Sequence, residues 1–130
     1  MKIYIIDDDE LVHKLYGLYL NEVVSGFQKE SFYNGFDAMK YLVDHQEDGN
    51  IVPDIILLDI NMPIMDGIEF LEHFERLVPT LEKVPSIFIV TSCLLDEYFL
   101  KNRKNVTGVY SKPLTKNVLK EMIFNQLAYE

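Results

Sequence analysis

Two short apolar runs constrain the fold of this chain more than any other feature. Residues 55–58 (Ile-Ile-Leu-Leu) and 87–90 (Ile-Phe-Ile-Val) contain no polar residue, so apolar and polar positions do not alternate along them. A strand with one face in water alternates, whereas a strand covered on both faces is apolar throughout. The two runs therefore predict central strands of a parallel sheet that has helices on both faces.

The rest of the chain alternates short apolar runs with longer amphipathic stretches, which is the pattern of an α/β domain. The predicted strands are residues 2–7, 27–32, 54–59, 86–91 and 108–111. The predicted helices are residues 10–24, 35–45, 67–77, 94–104 and 115–129. No linker, repeat or shift of composition interrupts this order, so we expect residues 1–130 to form one doubly wound domain.

The charge and cysteine content exclude several function classes. The formal net charge is −9, from 21 acidic and 12 basic residues, which disfavours nucleic acid and anionic membrane as partners. The densest basic segment, residues 101–104, is typical of a solvated helix face. Cys93 is the only cysteine, which excludes an intramolecular disulfide, and the apolar segment 3–6 is too short for a signal peptide or a membrane span. We expect a soluble, cytoplasmic protein.

Polar side chains stand at the carboxyl ends of four predicted strands, which meet along one edge of a parallel sheet. Residues 7–10 (Asp-Asp-Asp-Glu) stand at the end of the first strand, Asp59 at the third, Thr91 at the fourth and Lys112 after the fifth. Alone, the acidic run is typical of a helix N-terminus, Thr91 of a strand end or cap, and Lys112 of the surface. Their occurrence at successive strand ends indicates a shared site.

This combination of groups suits phosphoryl transfer. Carboxylates held close together repel one another, and a hard dication that prefers oxygen ligands relieves the repulsion. Magnesium is the natural choice because it uses one or two carboxylates, keeps waters and bridges to phosphate. Asp59 is the best candidate for a covalent acceptor because it stands alone after a fully apolar strand, and Thr91 and Lys112 would contact the phosphoryl oxygens.

Five segments of the chain closely resemble the receiver domain of two-component response regulators. They are residues 5–9 (IIDDD), 54–63 (DIILLDINMP), 65–67 (MDG), 89–92 (IVTS) and 111–114 (SKPL). The resemblance covers almost the whole chain. It implies a flavodoxin-like fold with strand order 2-1-3-4-5. We expect a single-domain regulator without an effector domain.

The resemblance also implies a metal site and an acceptor. Asp59 would be the phosphoacceptor. Mg²⁺, with Mn²⁺ as a substitute, would be bound by Asp59, by Asp8 directly, by Asp7 through water and by the backbone carbonyl of Asn61.

By the same resemblance, Thr91 and Lys112 would bind the phosphoryl oxygens, and the peptide from Lys112 to Pro113 would be cis. The donor would be a phosphohistidine on a sensor histidine kinase or a histidine phosphotransfer protein, and a still unknown output protein would receive the signal. Asn61 and Cys93 would tune the lifetime of the phosphorylated state. We expect slow self-dephosphorylation, because Cys93 cannot orient an attacking water as an acid or amide would. We expect no multiple turnover of small phosphate esters, because Asn61 stands where a phosphatase would need an acid/base carboxylate.

One position departs from the family pattern. Three residues before the lysine the family usually carries an aromatic switch side chain, whereas this chain has Val109 there and Tyr110 one residue later. Because side chains alternate along a strand, we expect Tyr110 to face the opposite side of the sheet. Val109 is expected to give a smaller packing change on phosphorylation.

Two predicted helices carry more apolar residues than one buried face needs. The first contains Leu11, Val12, Leu15, Tyr16, Leu18, Tyr19 and Leu20, and the fourth contains Leu94, Leu95, Tyr98, Phe99 and Leu100. The first helix is a candidate surface for docking a phosphotransfer module, and the fourth for a phosphorylation-dependent homodimer. Extra core packing is the alternative interpretation of both.

Three rival functions differ from this one at specific positions. A phosphatase of the haloacid dehalogenase type needs a second Asp two residues after the nucleophile, where this chain has Asn61. A calcium loop that began at Asp59 would need a ligand and a glycine where the chain has Pro63 and Ile64. A receiver fold used only as an interaction module would not need the complete set of Asp, Thr and Lys.

Overall fold

The computed structural model describes residues 1–92 and 97–128, and within these ranges five parallel strands form one sheet. The strands are β1 (Lys2–Ile6), β2 (Gln28–Phe32), β3 (Ile55–Leu58), β4 (Ser86–Thr91) and β5 (Val106–Ser111). They lie in the order β2-β1-β3-β4-β5, and every neighbouring pair is parallel. This order confirms the predicted doubly wound, flavodoxin-like fold, in which the strand order reverses next to β1.

Helices connect the strands. They are α1 (Glu10–Val23), α2 (Gly35–Asp44), α3 (Gly67–Leu77), α4 (Glu97–Lys101) and α5 (Lys116–Ala128), with a turn of 3-10 helix at Val78–Thr80. The first and last residues of α1, α2, α3 and α5 lie within one residue of the predicted helix bounds. No helix in the described part of the chain has the length and apolar character needed to cross a membrane.

The predicted fourth helix, residues 94–104, was wrong at its end. Its first residues lie outside the described ranges, and α4 ends at Lys101. The Arg103 N–H donates to the Leu100 carbonyl at 3.2 Å, three residues back, and Asn105 has a φ of 71°. A tightened last turn followed by a left-handed residue ends a helix.

The fifth strand is longer than predicted. It begins at Val106 instead of Gly108, and Val106 pairs with Ile87 before the register shifts so that Gly108 pairs with Phe88. A glycine next to a bulge weakens the sequence signal of a strand, which explains the missed residues.

Both faces of β3 and β4 are buried, as the apolar runs predict. On one face Ile56, Leu58, Ile87 and Ile89 pack against α2 and α3, and on the other Ile55, Leu57, Phe88 and Val90 pack against α1 and α5. Each side chain of β3 is at most 2 % exposed. Burying one such side chain stabilises a fold by about 1.5–3 kcal/mol, so the end of β3 is firmly anchored.

Side-chain caps begin three helices at the edge where the strands end. Asp9, Asn34 and Asp66 each accept a backbone N–H bond from the first turn of α1, α2 and α3, at 2.8 or 2.9 Å. Such caps stabilise a helix by about 1 kcal/mol. Asp9 therefore has the capping role considered for the acidic run, while Asp7 and Asp8 remain available for a site.

Candidate functional site

The carboxyl ends of β1 and β3 bring three aspartates together. The Asp59 N–H donates to the Ile6 carbonyl at 2.9 Å, and the Asp7 N–H donates to the Phe32 carbonyl at 3.1 Å. Asp7 is 2 % exposed and Asp59 is 5 % exposed, whereas Asp8 is exposed. One carboxylate oxygen from each of Asp7, Asp8 and Asp59 lies within 4.8 Å of the other two. The strand ladder thus positions the cluster that the sequence predicts.

The surroundings of Asp59 favour its protonated form. Burial, followed by the negative charge of Asp7, raises the pKa of Asp59 to about 6. The Lys112 ammonium and the Ile60 N–H, which donates to Asp59 Oδ1 at 2.9 Å, act in the opposite direction. Near neutral pH the site therefore holds closely spaced negative charges at a cost. A divalent cation with oxygen ligands relieves that cost, so the donor set fits Mg²⁺.

Lys112 supplies positive charge at this site. Its Nζ lies 2.7 Å from Asp7 Oδ2 and 3.5 Å from Asp59 Oδ1. Burial alone would lower the pKa of Lys112, but the hydrogen bond and charge of Asp7, with the charge of Asp59, outweigh burial and raise the pKa. The peptide from Lys112 to Pro113 is cis. The ammonium group is thus held in its charged form between two carboxylates.

Thr91 and Asn61 both lie at the edge of the sheet where the strands end, but Thr91 is buried and Asn61 is exposed to solvent. Thr91 ends β4, is 1 % exposed, and its carbonyl accepts the Lys112 N–H at 2.8 Å. This bond ties the end of β4 to the lysine that follows β5. Asn61 is exposed in the loop between β3 and α3, two residues after Asp59. The role of its carbonyl as a metal ligand stays a prediction.

Gly67 holds the loop after β3 against the backbone of Asp59. Its N–H donates to the Ile60 carbonyl at 2.8 Å. A Cβ at this position would lie 2.5 Å from the Asp59 carbonyl oxygen and 2.8 Å from Ile60 Cα, closer than real Cβ atoms come to backbone. In the sequence, Gly67 is only the first residue of a predicted helix and the last residue of the MDG segment. The structure shows that a side chain there would displace the backbone of Asp59.

Val109 and Tyr110 lie on opposite faces of the sheet, as predicted. Val109 packs against the cluster that contains Ile89 and Leu100, on the face of α2 and α3. Tyr110 packs on the other face, with its ring centroid 6.1 Å from that of Phe88. The face that usually carries an aromatic switch therefore holds a small aliphatic side chain here.

His13 is a buried residue at this site, and the sequence-based prediction did not include it. It is 3 % exposed, and its Nε2 lies 2.7 Å from the carbonyl oxygen of Asp7. The available signal was a histidine one helical turn after Asp9, within reach of the acidic run.

The two predicted interaction helices are only partly exposed. In α1, Leu11 is 70 % exposed and Leu18 is 64 % exposed, whereas Tyr16 and Leu20 are buried. A largely apolar groove of about 370 Å³ is lined by Val12, Leu15, Tyr16, Ser92, Lys112, Pro113 and Leu114. It joins α1 directly to the site.

In α4, Tyr98 is 83 % exposed and Phe99 is 62 % exposed, whereas Leu100 is buried. The predicted contact residues Leu94 and Leu95 lie outside the described residues. Core packing therefore accounts for part of each apolar set, and an exposed remainder is left on both helices.

The sequence matches the family model described as response regulator receiver domain over residues 3–124. The chain belongs to this family. It is thus a receiver domain of a two-component response regulator. The five-stranded order described above is the order of the flavodoxin-like receiver fold.

Three known proteins illustrate the similarity of this receiver domain. The transcriptional regulatory protein FlgR of Helicobacter pylori is 32 % identical over 124 residues, which are 95 % of this chain and 29 % of FlgR. The structure of a two-component response regulator from Cytophaga hutchinsonii is 27 % identical with a TM-score of 0.82, covering 98 % of this chain and 96 % of that one. The phosphorylated cyanobacterial phytochrome response regulator RcpA is 25 % identical with a TM-score of 0.81, covering 99 % and 95 %. The chain thus spans under a third of FlgR.

Proposed function

We propose that this receiver domain accepts a phosphoryl group on Asp59, with Mg²⁺ bound by Asp7, Asp8, Asp59 and the backbone carbonyl of Asn61. One observation carries the proposal: carboxylate oxygens of three aspartates lie within 4.8 Å of one another, and the Lys112 ammonium contacts two of those residues. A structural ion pair needs one carboxylate for one lysine. The excess of negative charge suits a site that receives a divalent cation, and the cation would in turn attract a phosphoryl group.

In the proposed transfer, a carboxylate oxygen of Asp59 attacks the phosphorus of a phosphohistidine. A P–O bond forms as the P–N bond breaks, and the electron pair of the P–N bond stays on the imidazole, which takes up a proton. The product is an acyl phosphate. Lys112 and the Ile60 N–H both contact Asp59 Oδ1, so attack through Oδ2 leaves these contacts in place.

The other residues at the strand ends would stabilise the charge of the transferred group. Lys112 is close enough to move from Asp7, 2.7 Å away, to a phosphoryl oxygen. The Thr91 hydroxyl would donate to another phosphoryl oxygen from the buried end of β4. When bound, Mg²⁺ would neutralise the carboxylates and the phosphoryl oxygens.

We propose an acceptor that dephosphorylates slowly, not an enzyme of multiple turnover. A phosphatase of the haloacid dehalogenase type would need a carboxylate at the position of Asn61 to exchange protons with the leaving group and the attacking water. The amide of Asn61 cannot do so. Cys93, the other predicted determinant of lifetime, lies outside the described residues.

The proposed partners follow from the same reaction. The donor would be a sensor histidine kinase or a histidine phosphotransfer protein, docked on the exposed apolar part of α1 and the groove beside Lys112. The output would be an unknown protein or a phosphorylation-dependent homodimer, for which the exposed rings of Tyr98 and Phe99 offer a surface. Nucleic acid and membrane are not proposed as partners, and we expect a cytoplasmic location.

Intact mass after incubation with acetyl phosphate and Mg²⁺ tests the proposal. Wild type should gain one phosphoryl group, and Asp59→Asn should gain none. Asp66→Asn is a matched control, since Asn caps a helix as well as Asp and Asp66 lies in the same loop region. A phosphoryl gain by Asp59→Asn equal to that of wild type would refute Asp59 as the acceptor.

A further inference from the structure

His13 lies against the turn that carries Asp7 and Asp8, and the proposed reaction does not use it. Its Nε2 is 2.7 Å from the Asp7 carbonyl oxygen. A carbonyl oxygen only accepts, so Nε2 carries the proton and donates. Nδ1 is buried and has no hydrogen-bond partner within the described ranges, which favours the same tautomer. His13 therefore presents one fixed donor to the backbone of the acidic turn.

We propose that His13 is a positioning residue for the divalent-cation site. The inference rests on the proposed function, because it assigns His13 a part in aiming the carboxylates that would hold Mg²⁺. The donated bond orients the peptide unit between Asp7 and Asp8. His13 itself contacts no reacting group.

The geometry of the turn explains why this bond matters. The carbonyl that His13 binds belongs to the rigid peptide plane that joins Asp7 to Asp8, so holding the carbonyl sets the direction in which the chain enters Asp8. Two further bonds act on either side of that plane. The Asp7 N–H donates to the Phe32 carbonyl at 3.1 Å, and the Asp9 N–H donates to Asp7 Oδ1 at 2.9 Å. The His13 bond acts between the two proposed ligands.

The imidazole is held in place by its surroundings. The ring centroids of His13 and Tyr33 are 4.4 Å apart, and the ring planes are inclined at 38°. Burying a ring nitrogen without a partner costs free energy. An apolar side chain of similar size would avoid that cost but could not donate to the Asp7 carbonyl. Outer residues that orient metal ligands in this way commonly change metal affinity 10- to 100-fold.

His45 offers a matched control within the same chain. Its Nδ1 lies 2.8 Å from the Tyr41 carbonyl oxygen, and its ring lies 4.4 Å from the Tyr41 ring. It therefore makes the same two kinds of contact as His13. Because His45 stands just after α2, away from the carboxyl ends of the strands, its loss should not affect the cation site.

The test measures the Mg²⁺ affinity of the full chain. Mg²⁺ is titrated into the protein, and the shifts of the backbone amide NMR resonances report binding. His13→Phe keeps a ring but has no donor, and it should bind Mg²⁺ about 10-fold more weakly than wild type. His13→Gln, whose amide nitrogen reaches the place of Nε2, should recover most of that affinity. His45→Phe should bind within about twofold of wild type. Thermal unfolding without Mg²⁺ reports whether each variant is folded.

Unchanged affinity in a folded His13→Phe, or equal losses in His13→Phe and His45→Phe, would overturn the inference. His13→Met provides the same comparison where the phenylalanine variant does not fold. A separate outcome refutes the proposed function: wild type that binds no Mg²⁺ at millimolar concentration would exclude both the proposed function and this inference. Normal binding by wild type with unaffected His13 variants would refute the inference alone.

Discussion

Asp54 and Asp59 stand at opposite ends of β3, and each has a lysine beside it. Asp54 accepts the Lys2 N–H at 2.8 Å and lies 3.2 Å from Lys83 Nζ, while Asp59 lies 3.5 Å from Lys112 Nζ. Burial alone would raise the pKa of Asp54, but the bonds from Lys2 and Lys83 lower it. The pKa of Asp59 is instead raised to about 6, chiefly by burial and then by Asp7.

The pKa values of Asp54 and Asp59 shift in opposite directions partly because the two lysines are shared by different numbers of carboxylates. Lys83 serves Asp54 alone among the described ion pairs, whereas Lys112 lies closer to Asp7 than to Asp59. The amino end of β3 therefore has balanced charge that stabilises the fold. The carboxyl end has an excess of negative charge that is unfavourable without a ligand, as expected of a site built for function.

The largest expected difference between the two ends of β3 is in the phosphorylation rates of variants that lack Lys112 or Lys83. Lys112→Met should slow phosphorylation by acetyl phosphate about 100-fold, because a charged donor to the phosphoryl oxygens is lost. Lys83→Met should stay within about twofold of wild type, since Lys83 is at the other end of the sheet. The rates are measured by intact mass against time. Equal slowing in both variants would contradict the assignment of the two ends.

A glycine near each end of β3 should respond differently to substitution, as measured by the free energy of unfolding. Gly67→Ala should lower the free energy of unfolding by about 2–3 kcal/mol, because its Cβ would meet the backbone of Asp59. Gly49→Ala should change it by less than about 0.5 kcal/mol, since that Cβ would meet only the flexible carboxylate of Glu82. Urea denaturation measures both. A Gly67→Ala variant as stable as wild type would mean that the loop is not held against the backbone of Asp59.

Neutralising the two aspartates should change stability in opposite directions. In the absence of divalent metal near neutral pH, Asp59→Asn should stabilise the fold by about 1–2 kcal/mol because it removes a repelled, buried charge. Asp54→Asn should destabilise it by about 1 kcal/mol because charged hydrogen bonds are weakened. Thermal unfolding in chelator checks both. Destabilisation by Asp59→Asn would show that the carboxylate of Asp59 is not held at a cost in free energy.

The smallest expected effect is the pH dependence of the Asp54 contribution. Because the pKa of Asp54 is lower in the folded state, the ionised carboxylate stabilises the fold above the unfolded-state pKa. That contribution is lost as the pH falls through the folded-state pKa. The difference in Tm between wild type and Asp54→Asn should therefore shrink as the pH falls below the ordinary pKa of an aspartate carboxyl group. A difference that stays constant through that acid range would argue against the Lys83 pair as its source.

Much of the fold could be predicted because its strongest signals are local. Unbroken apolar runs mark strands that are covered on both faces, and caps such as Asn34 and Asp66 mark helix starts. The start of β5 could not be predicted in this way. The bulge beside Gly108 depends on pairing with β4, which no local pattern encodes.

The chemical groups of this receiver domain, and the strand ends at which they stand, follow from the sequence. They meet because parallel strands bring their carboxyl ends to one edge of the sheet, whatever the details of packing. The differences between those groups arise only from how the chain packs in three dimensions. Asp54 and Asp59 are the same residue at the two ends of one strand, and burial and neighbouring charges shift the pKa values of their carboxyl groups in opposite directions. The close approach of Gly67 to the backbone of Asp59, and of His13 to the carbonyl oxygen of Asp7, likewise depends on distances that only packing sets.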